Sequence, residues 1–298
     1  RSCRYAGLVV VELYLFSALD GDGDLYLLGE SPFSYIRYWR NEGTRQVARF
    51  VVAADTLLDE DGVAIFSDRQ NIPQLGDLDC DRMPDLLLGR VDGPAARHEM
   101  TEPQPGKPPR FRLITDRFEN IQIVGQFGTM HGANTMALAD VDEDGDLDLF
   151  WGDFFEQGLL LLENTGSCRE PSMRQAPVRF PRENPVLTSG YNAPSFAHLD
   201  DAGRLDLVIG VLGGAYNPNR TSVDNLLAYT RSPDGRWVHR TSRLLPVLDV
   251  GSESIPSLAD VDGDGDLDLL VANKLDPRNL AISTITWFEN TGTPRAPE

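Results

Sequence analysis

An all-β propeller is the fold class this sequence predicts, and three observations predict it. A ten-residue Asp-rich loop recurs along the chain. It recurs at one phase of an internal repeat of about 60 residues, a period that marks blade or solenoid architectures. The apolar runs around it are short and bounded by Asp, Gly, Asn and Pro, as strands are.

The repeat is anchored on the Leu that follows each loop: Leu27, Leu86, Leu149, Leu207 and Leu269, spaced 59, 63, 58 and 62 residues apart. Five units, approximately 1–59, 60–122, 123–185, 186–244 and 245–298, fill the 298 residues as a single domain. A second anchor agrees. Arg40-Asn-Glu-Gly43, Glu163-Asn-Thr-Gly166 and Glu289-Asn-Thr-Gly292 share one phase, with Glu99-Met-Thr-Glu102 and a turn at Ser232-Pro-Asp-Gly235 in the remaining units. No amphipathic helical period runs over eleven residues or more. The 20 Pro and 27 Gly fit many short strands with tight turns. A unit of four strands is one blade, which buries its faces by stacking on its neighbours around an axis. Leu8–Phe16 reads as the first inner strand, and Leu159–Leu162 as an inner strand buried on both sides. The alternation in Leu147-Asp-Leu149 predicts faces of different character.

The loops carry the chemistry. Asp260-Val-Asp-Gly-Asp-Gly-Asp-Leu-Asp and Asp140-Val-Asp-Glu-Asp-Gly-Asp-Leu-Asp are near copies, and Asp77-Leu-Asp-Cys-Asp-Arg-Met-Pro-Asp is a looser one. Each places carboxylates at positions 1, 3, 5 and 9, an oxygen-rich set suited to a hard cation such as Ca²⁺. The expected ligands are Asp140, Asp142, Asp144, Asp148 and Asp260, Asp262, Asp264, Asp268, with the backbone carbonyl of Asp146 or Asp266 at position 7. Gly145 and Gly265 stand at position 6, where the chain turns sharply. The second loop offers Asp77, Asp79, Asp81, Asp85 and the Met83 carbonyl, but places Arg82 where the others have Gly. The first unit (Ala18, Asp20, Asp22, Tyr26) and the fourth (His198, Asp200, Ala202, Asp206) keep two carboxylates each and read as metal-free turns. An EF-hand is excluded, because position 12 is Leu88, Trp151 or Val271 inside a strand rather than Glu between helices.

The stretch 259–271, with 287–294 (Trp-Phe-Glu-Asn-Thr-Gly-Thr-Pro), resembles the FG-GAP repeat, the integrin-α-like propeller blade. The resemblance implies seven blades, Ca²⁺ in the first hairpin loop of each metal-binding blade, and ligand binding on the opposite face. Five visible units, and an N-terminal Arg1–Gly7 too short to serve as an outer strand and cross back, point to part of a larger propeller or to a ring completed by a partner chain. A closed five-bladed ring is the alternative.

Composition narrows the function. With 27 Lys and Arg against 46 Asp and Glu the formal net charge is −19, which argues against nucleic acid and anionic membranes. No apolar run approaches the roughly 20 residues of a membrane span. The chain shows no signal peptide and starts with Arg, as a processed or shortened chain does. Cys3, Cys80 and Cys168 are an odd set, in which Cys80 and Cys168 form the candidate pair. Weak Ca²⁺ loops suit extracellular calcium levels, so a secreted or cell-surface setting is expected. The four His are scattered over the units, and no nucleophile elbow, metalloprotease helix or phosphate loop is present. The leading expectation is therefore a non-catalytic adhesion module, binding a protein or glycan opposite the calcium loops. Tyr216, Asn217, Asn219 and Arg220 of a long connection are the candidate contacts. The alternatives are a structural subunit of an extracellular assembly and a calcium-dependent polysaccharide-active enzyme.

Overall fold

The computed structural model describes residues 2–5, 14–17, 25–31, 34–44, 47–67, 71–90, 94–101, 103, 107–121, 134–199, 203–216, 225–244, 255–273, 282–294 and 297. They form five four-stranded antiparallel sheets arranged as the blades of a propeller. The N-terminal strand β1 (Ser2–Tyr5) belongs to the last of them. Blade one is β2 (Tyr14–Ser17), β3 (Tyr26–Ser31), β4 (Tyr35–Asn41) and β5 (Phe50–Ala54). Blade two is β6 (Gln74–Gly76), β7 (Asp85–Gly89), β8 (Ala95–Met100) and β9 (Phe111–Thr115). Blade three is β10 (Asn134–Ala139), β11 (Asp148–Asp153), β12 (Leu159–Leu162) and β13 (Val178–Phe180). Blade four is β14 (Asn192–Ala197), β15 (Asp206–Val211), β16 (Leu226–Arg231) and β17 (Trp237–Thr241). Blade five is β18 (Ile255–Ala259), β19 (Asp268–Ala272) and β20 (Ile285–Phe288), with β1 paired outside β20.

That last pairing corrects the sequence reading of the N-terminus. The segment judged too short is the outer strand that completes blade five. The first described strand of blade one is Tyr14–Ser17, and the expected start near Leu8 lies outside the described residues. The predicted incomplete ring gives way to five blades, each with four strands.

The Leu anchors occupy one place in every blade. Leu27, Leu86, Leu149, Leu207 and Leu269 are paired across to Phe16, Leu75, Leu138, Phe196 and Leu258 of the strand before. The second strand of a blade is sandwiched, so its residues alternate between two interfaces that are both apolar. Leu86 and Leu88 pack toward blade one, while Leu87 packs with Leu149 and Trp151 of blade three. Phe150 turns the other way, onto Leu207 and Ile209 of blade four. Val208 meets Leu269 and Val271 of blade five, whose Leu270 packs with Leu27 and Trp39 of blade one. This explains the continuous apolar runs, because a strand buried on both faces has no wet side to make polar. It also removes the predicted contrast between faces, since Asp148 is buried like Leu149 while Leu147 is only partly so. Leu159–Leu162 is the third strand of its blade rather than the innermost. No helix among the described residues is long and apolar enough to cross a membrane.

Candidate functional site: Asp loops at one end, a buried polar row at the other

Among the described residues β6, β10 and β18 each lead into an Asp loop, so these loops share one end of the propeller. In blade three, one carboxylate oxygen from each of Asp140, Asp142 and Asp144 lies within 4.8 Å of the others. Backbone amides hold them there. Asp140 accepts from the N–H groups of Asp144 (3.1 Å) and Gly145 (3.0 Å), and Asp144 accepts from Asp146 N–H (3.1 Å). Gly145 sits at φ 93°, a conformation L side chains resist. Blade five repeats the arrangement with Asp260, Asp262 and Asp264 within 4.8 Å, and Gly265 at φ 102°. Asp260 there accepts from Gly263 (2.7 Å) and Gly265 (3.2 Å).

Position 7 differs from expectation in what it offers. The side chains of Asp146 and Asp266 are themselves buried, and each has an oxygen (Oδ1) without a partner. Burial, with Asp144, Asp142 and Asp140 next in effect, pushes the Asp146 carboxyl up to about 6. A buried carboxylate without a partner is costly. An all-oxygen set with an orphaned member is what a hard divalent cation satisfies, so these two loops fit the ion.

Position 9 does a different job. Asp148 accepts from Val141 N–H (3.2 Å) through one oxygen and from Asn164 N–H (2.8 Å) through the other. Asp268 does the same with Val261 (3.0 Å) and Asn290 (2.8 Å). These Asp residues staple the loop to the third strand. The Asn side chains complete the staple: Asn164 accepts from Gly166 and Ser172, and Asn290 from Gly292. The two sequence anchors are thus two halves of one device.

In the second loop Asp77 accepts from Asp81 and Arg82 N–H, and Asp81 from Met83 N–H (2.7 Å). Arg82 takes the left-handed conformation, φ 75°. Cys80 is disulfide-bonded to Cys168 of blade three. The buried Arg97 reaches in from β8. Its Nε donates to Asp85 Oδ1 (2.7 Å), and its Nη2 donates to Asp85 Oδ2 (3.1 Å) and to Asp79. A guanidinium therefore lies among the carboxylates that the sequence assigns to a metal.

In the fourth loop Asp206 accepts from Leu199 N–H (3.1 Å), and His198 is exposed. Asp200 and Ala202 lie outside the described residues, as do Ala18, Asp20 and Asp22 of the first loop. Tyr26 is buried and stacked on Tyr38. Tyr216 is partly exposed; Asn217, Asn219 and Arg220 lie outside the described residues.

At the opposite end of the blades a row of buried polar side chains crosses blades two and three. Asn71 bridges to Asn134, which is in register with Asp153 at the end of β11. All three are at most 3 % exposed. Both amide atoms of Asn71 lack hydrogen-bond partners, and so does Asp153 Oδ2. Asp153 Oδ1 accepts from Phe155 N–H at 2.7 Å. Burial pushes its carboxyl up to about 6, the Phe155 amide opposing. Glycines make the row possible. A Cβ on Gly89 would stand 2.3 Å from Asn134 Oδ1, and one on Gly152 would stand 1.8 Å from the Asn192 carbonyl oxygen. Asn192 is fixed by donating to the carbonyls of Gln157 and Gly158, both at 3.0 Å. An axial cavity of about 200 Å³, lined by β6, β10, β14 and β18, starts at Thr135, the residue after Asn134. Sequence reasoning missed this row. Its signal is slight: a Gly152-Asp153 pair closing an otherwise apolar strand.

No family model and no curated protein matches the chain. Solved structures do. A thermostable family-43 glycoside hydrolase aligns over 98% of this chain and 96% of its own, with a TM-score of 0.54 at 13% identity. The endo-arabinase of Bacteroides thetaiotaomicron aligns over 97% and 96%, at TM-score 0.54 and 11% identity. A GH43_1 enzyme from Xanthomonas citri, complexed with xylotriose, aligns over 96% and 89%, at 0.57 and 12%. At such identities the likeness establishes the fold. It corrects the sequence reading on two counts. These three propellers are glycoside hydrolases rather than integrin-like modules, and the expected non-catalytic adhesion role finds no counterpart among them. The physical reason is positional. The Asp loop reports how a blade turns its first hairpin, at the end away from the axial row, and carries no information about that row.

Proposed function

We propose that the chain is a glycan-hydrolysing enzyme whose reaction centre is the axial end opposite the Asp loops, with Asp153 as the general acid. One observation carries this: a carboxyl held to about 6, with one oxygen engaged by a backbone amide and the other buried and unpartnered. Glycosidic cleavage needs such an acid, protonated near neutrality, to hand its proton to the leaving oxygen. The fold likeness to glycoside hydrolases supports the reaction class. Asn71 and Asn134 complete the buried polar row beside Asp153. The reaction also needs a second carboxylate. Glu156 is engaged by Gly158 N–H and Arg179. Glu12 precedes β2, and Asp92, Asp224 and Asp276 fall by sequence between the second and third strands of blades two, four and five; these four lie outside the described residues.

The acid works protonated, so hydrolysis is expected to hold below pH 6 and to fall roughly tenfold per unit above it. Initial rates of reducing-end release from neutral polysaccharides between pH 4.5 and 8 test this. An acidic limb with no fall above pH 6 would exclude Asp153 as the acid.

The loops at Asp140–Asp146 and Asp260–Asp266 are read as Ca²⁺ sites of structural effect, in an extracellular setting consistent with the Cys80–Cys168 disulfide. The ion would neutralise clustered carboxylates and stiffen the blade ends. At millimolar Ca²⁺ and extracellular-type affinities each filled loop is expected to add roughly 1 kcal/mol. Calorimetric melts in EDTA and in Ca²⁺ should differ by a few degrees; coincident melts would refute the metal assignment.

A further inference from the structure

A groove separate from the axial row lies between blades three and four, at the end that carries the Asp loops. It is a cavity of about 310 Å³ whose floor includes Phe180, Pro181 and Trp237. Across Trp237 it meets a second cavity of about 490 Å³ bordered by Val238 and His239; Glu183, Asp234 and Arg236 belong to both. Together they are large enough for a ligand of more than one ring.

We propose that this groove is a second carbohydrate-binding site, taking an uncharged sugar chain, distinct from the reaction centre and independent of its assignment. Three features lead there. Trp237 is half-buried and braced edge-on by Phe180 (centroids 5.3 Å apart) and Phe196 (6.1 Å). A fixed indole beside Phe180 and Pro181 is an apolar platform of the kind a sugar ring covers, and its rigidity is established before binding. Both of the groove's arginines are already paired with carboxylates. Arg236 Nε donates to Asp234 Oδ2 at 2.7 Å, and Arg182 is bridged to Glu163. The Ser232 hydroxyl and Arg236 hold the Asp234 carboxyl down at about 2, so it remains an acceptor. Each pair keeps spare N–H groups and carboxylate lone pairs, which suits neighbouring hydroxyls that both donate and accept. The third feature is charge. Asp142, Glu163, Glu183 and Asp234 outnumber Arg182 and Arg236, which disfavours acidic polysaccharides. Arg231 joins Glu143 across the two blades at 2.6 Å, fixing the relation of the walls.

Affinity electrophoresis through gels containing xylan, arabinan or levan, with polygalacturonate as the charged control, tests the proposal. The parent, Asp153→Asn, Trp237→Ala and the double variant Asp234→Ala/Arg236→Ala are run together. The double variant removes an exposed ion pair and leaves the aromatic packing in place. The expected result is retardation by at least one neutral glycan for the parent and Asp153→Asn, weakened about tenfold or more in both groove variants. Equal retardation of parent and groove variants overturns the proposal. So does retardation by polygalacturonate alone, none in any neutral gel, or weakening confined to Trp237→Ala with a lowered melting midpoint. Reducing-end release by Asp153→Asn at the parental rate would sink the catalytic reading and leave this one standing.

Discussion

Replacing Asp153 with Asn is expected to lower glycan hydrolysis by about 10²–10⁴-fold, the range one general acid contributes. The substitution is close to isosteric. The Asn carbonyl oxygen can keep the 2.7 Å bond from Phe155 N–H, and its amide replaces an oxygen that has no partner. What is lost is the transferable proton. The fold should not suffer. Burial raises the Asp153 pKa, so ionisation opposes folding and its cost grows as pH rises through about 6. A neutral Asn removes that cost, and the variant should melt no lower than the parent at pH 7.5. Activity lost with an unchanged or raised midpoint separates a chemical role from a structural one. An active Asp153→Asn variant would contradict the assignment.

The second large effect belongs to Arg97. Its guanidinium pairs with Asp85, which is fully buried, and with Asp79. Removing one partner of a buried ion pair strands the other, at a cost of about 3–5 kcal/mol. Arg97→Leu is therefore expected to destabilise by that amount, read from denaturant midpoints. Asp85, already pushed up to about 6 by burial, loses the cation that lowers it and rises further. Protonation then relieves the strain, so the loss should be larger at pH 7.5 than at pH 5. Asp77, Asp79 and Asp85 also have oxygens within 4.8 Å of one another. With Arg97 gone, millimolar Ca²⁺ should recover part of the stability in the variant. An Arg97→Leu chain as stable as the parent, at pH 7.5 and without Ca²⁺, would refute this account of the second loop.

The repeat was legible because it is written in short-range residues. The Leu anchors mark the sandwiched second strand, and the Asn-Thr-Gly turns mark the end of the third. Both repeat because every blade solves the same packing problem. The Asp loops were legible for the same reason, though position 9 has a part the spacing does not reveal. Asp148 and Asp268 gather amides from residues 7 before and 16 or 22 after them. Arg97 was hidden by distance, standing 12 residues beyond Asp85 and 18 beyond Asp79. The closure of the ring was hidden because β1 pairs with β20, at the far end of the chain. The axial row was hidden most deeply. Asn71, Asn134 and Asp153 share no motif and come together only through a bridge and a strand register. An integrin-like function was therefore read from the turns, which say how a blade is built, while the candidate chemistry sits at the other end.

The most direct test of the central claim is reducing-end release from a panel of neutral polysaccharides at pH 5.5, parent chain against Asp153→Asn. Release by the parent on at least one glycan is expected, with the variant at least about 100-fold slower. No release by the parent on any glycan, or equal release by the two, would contradict it.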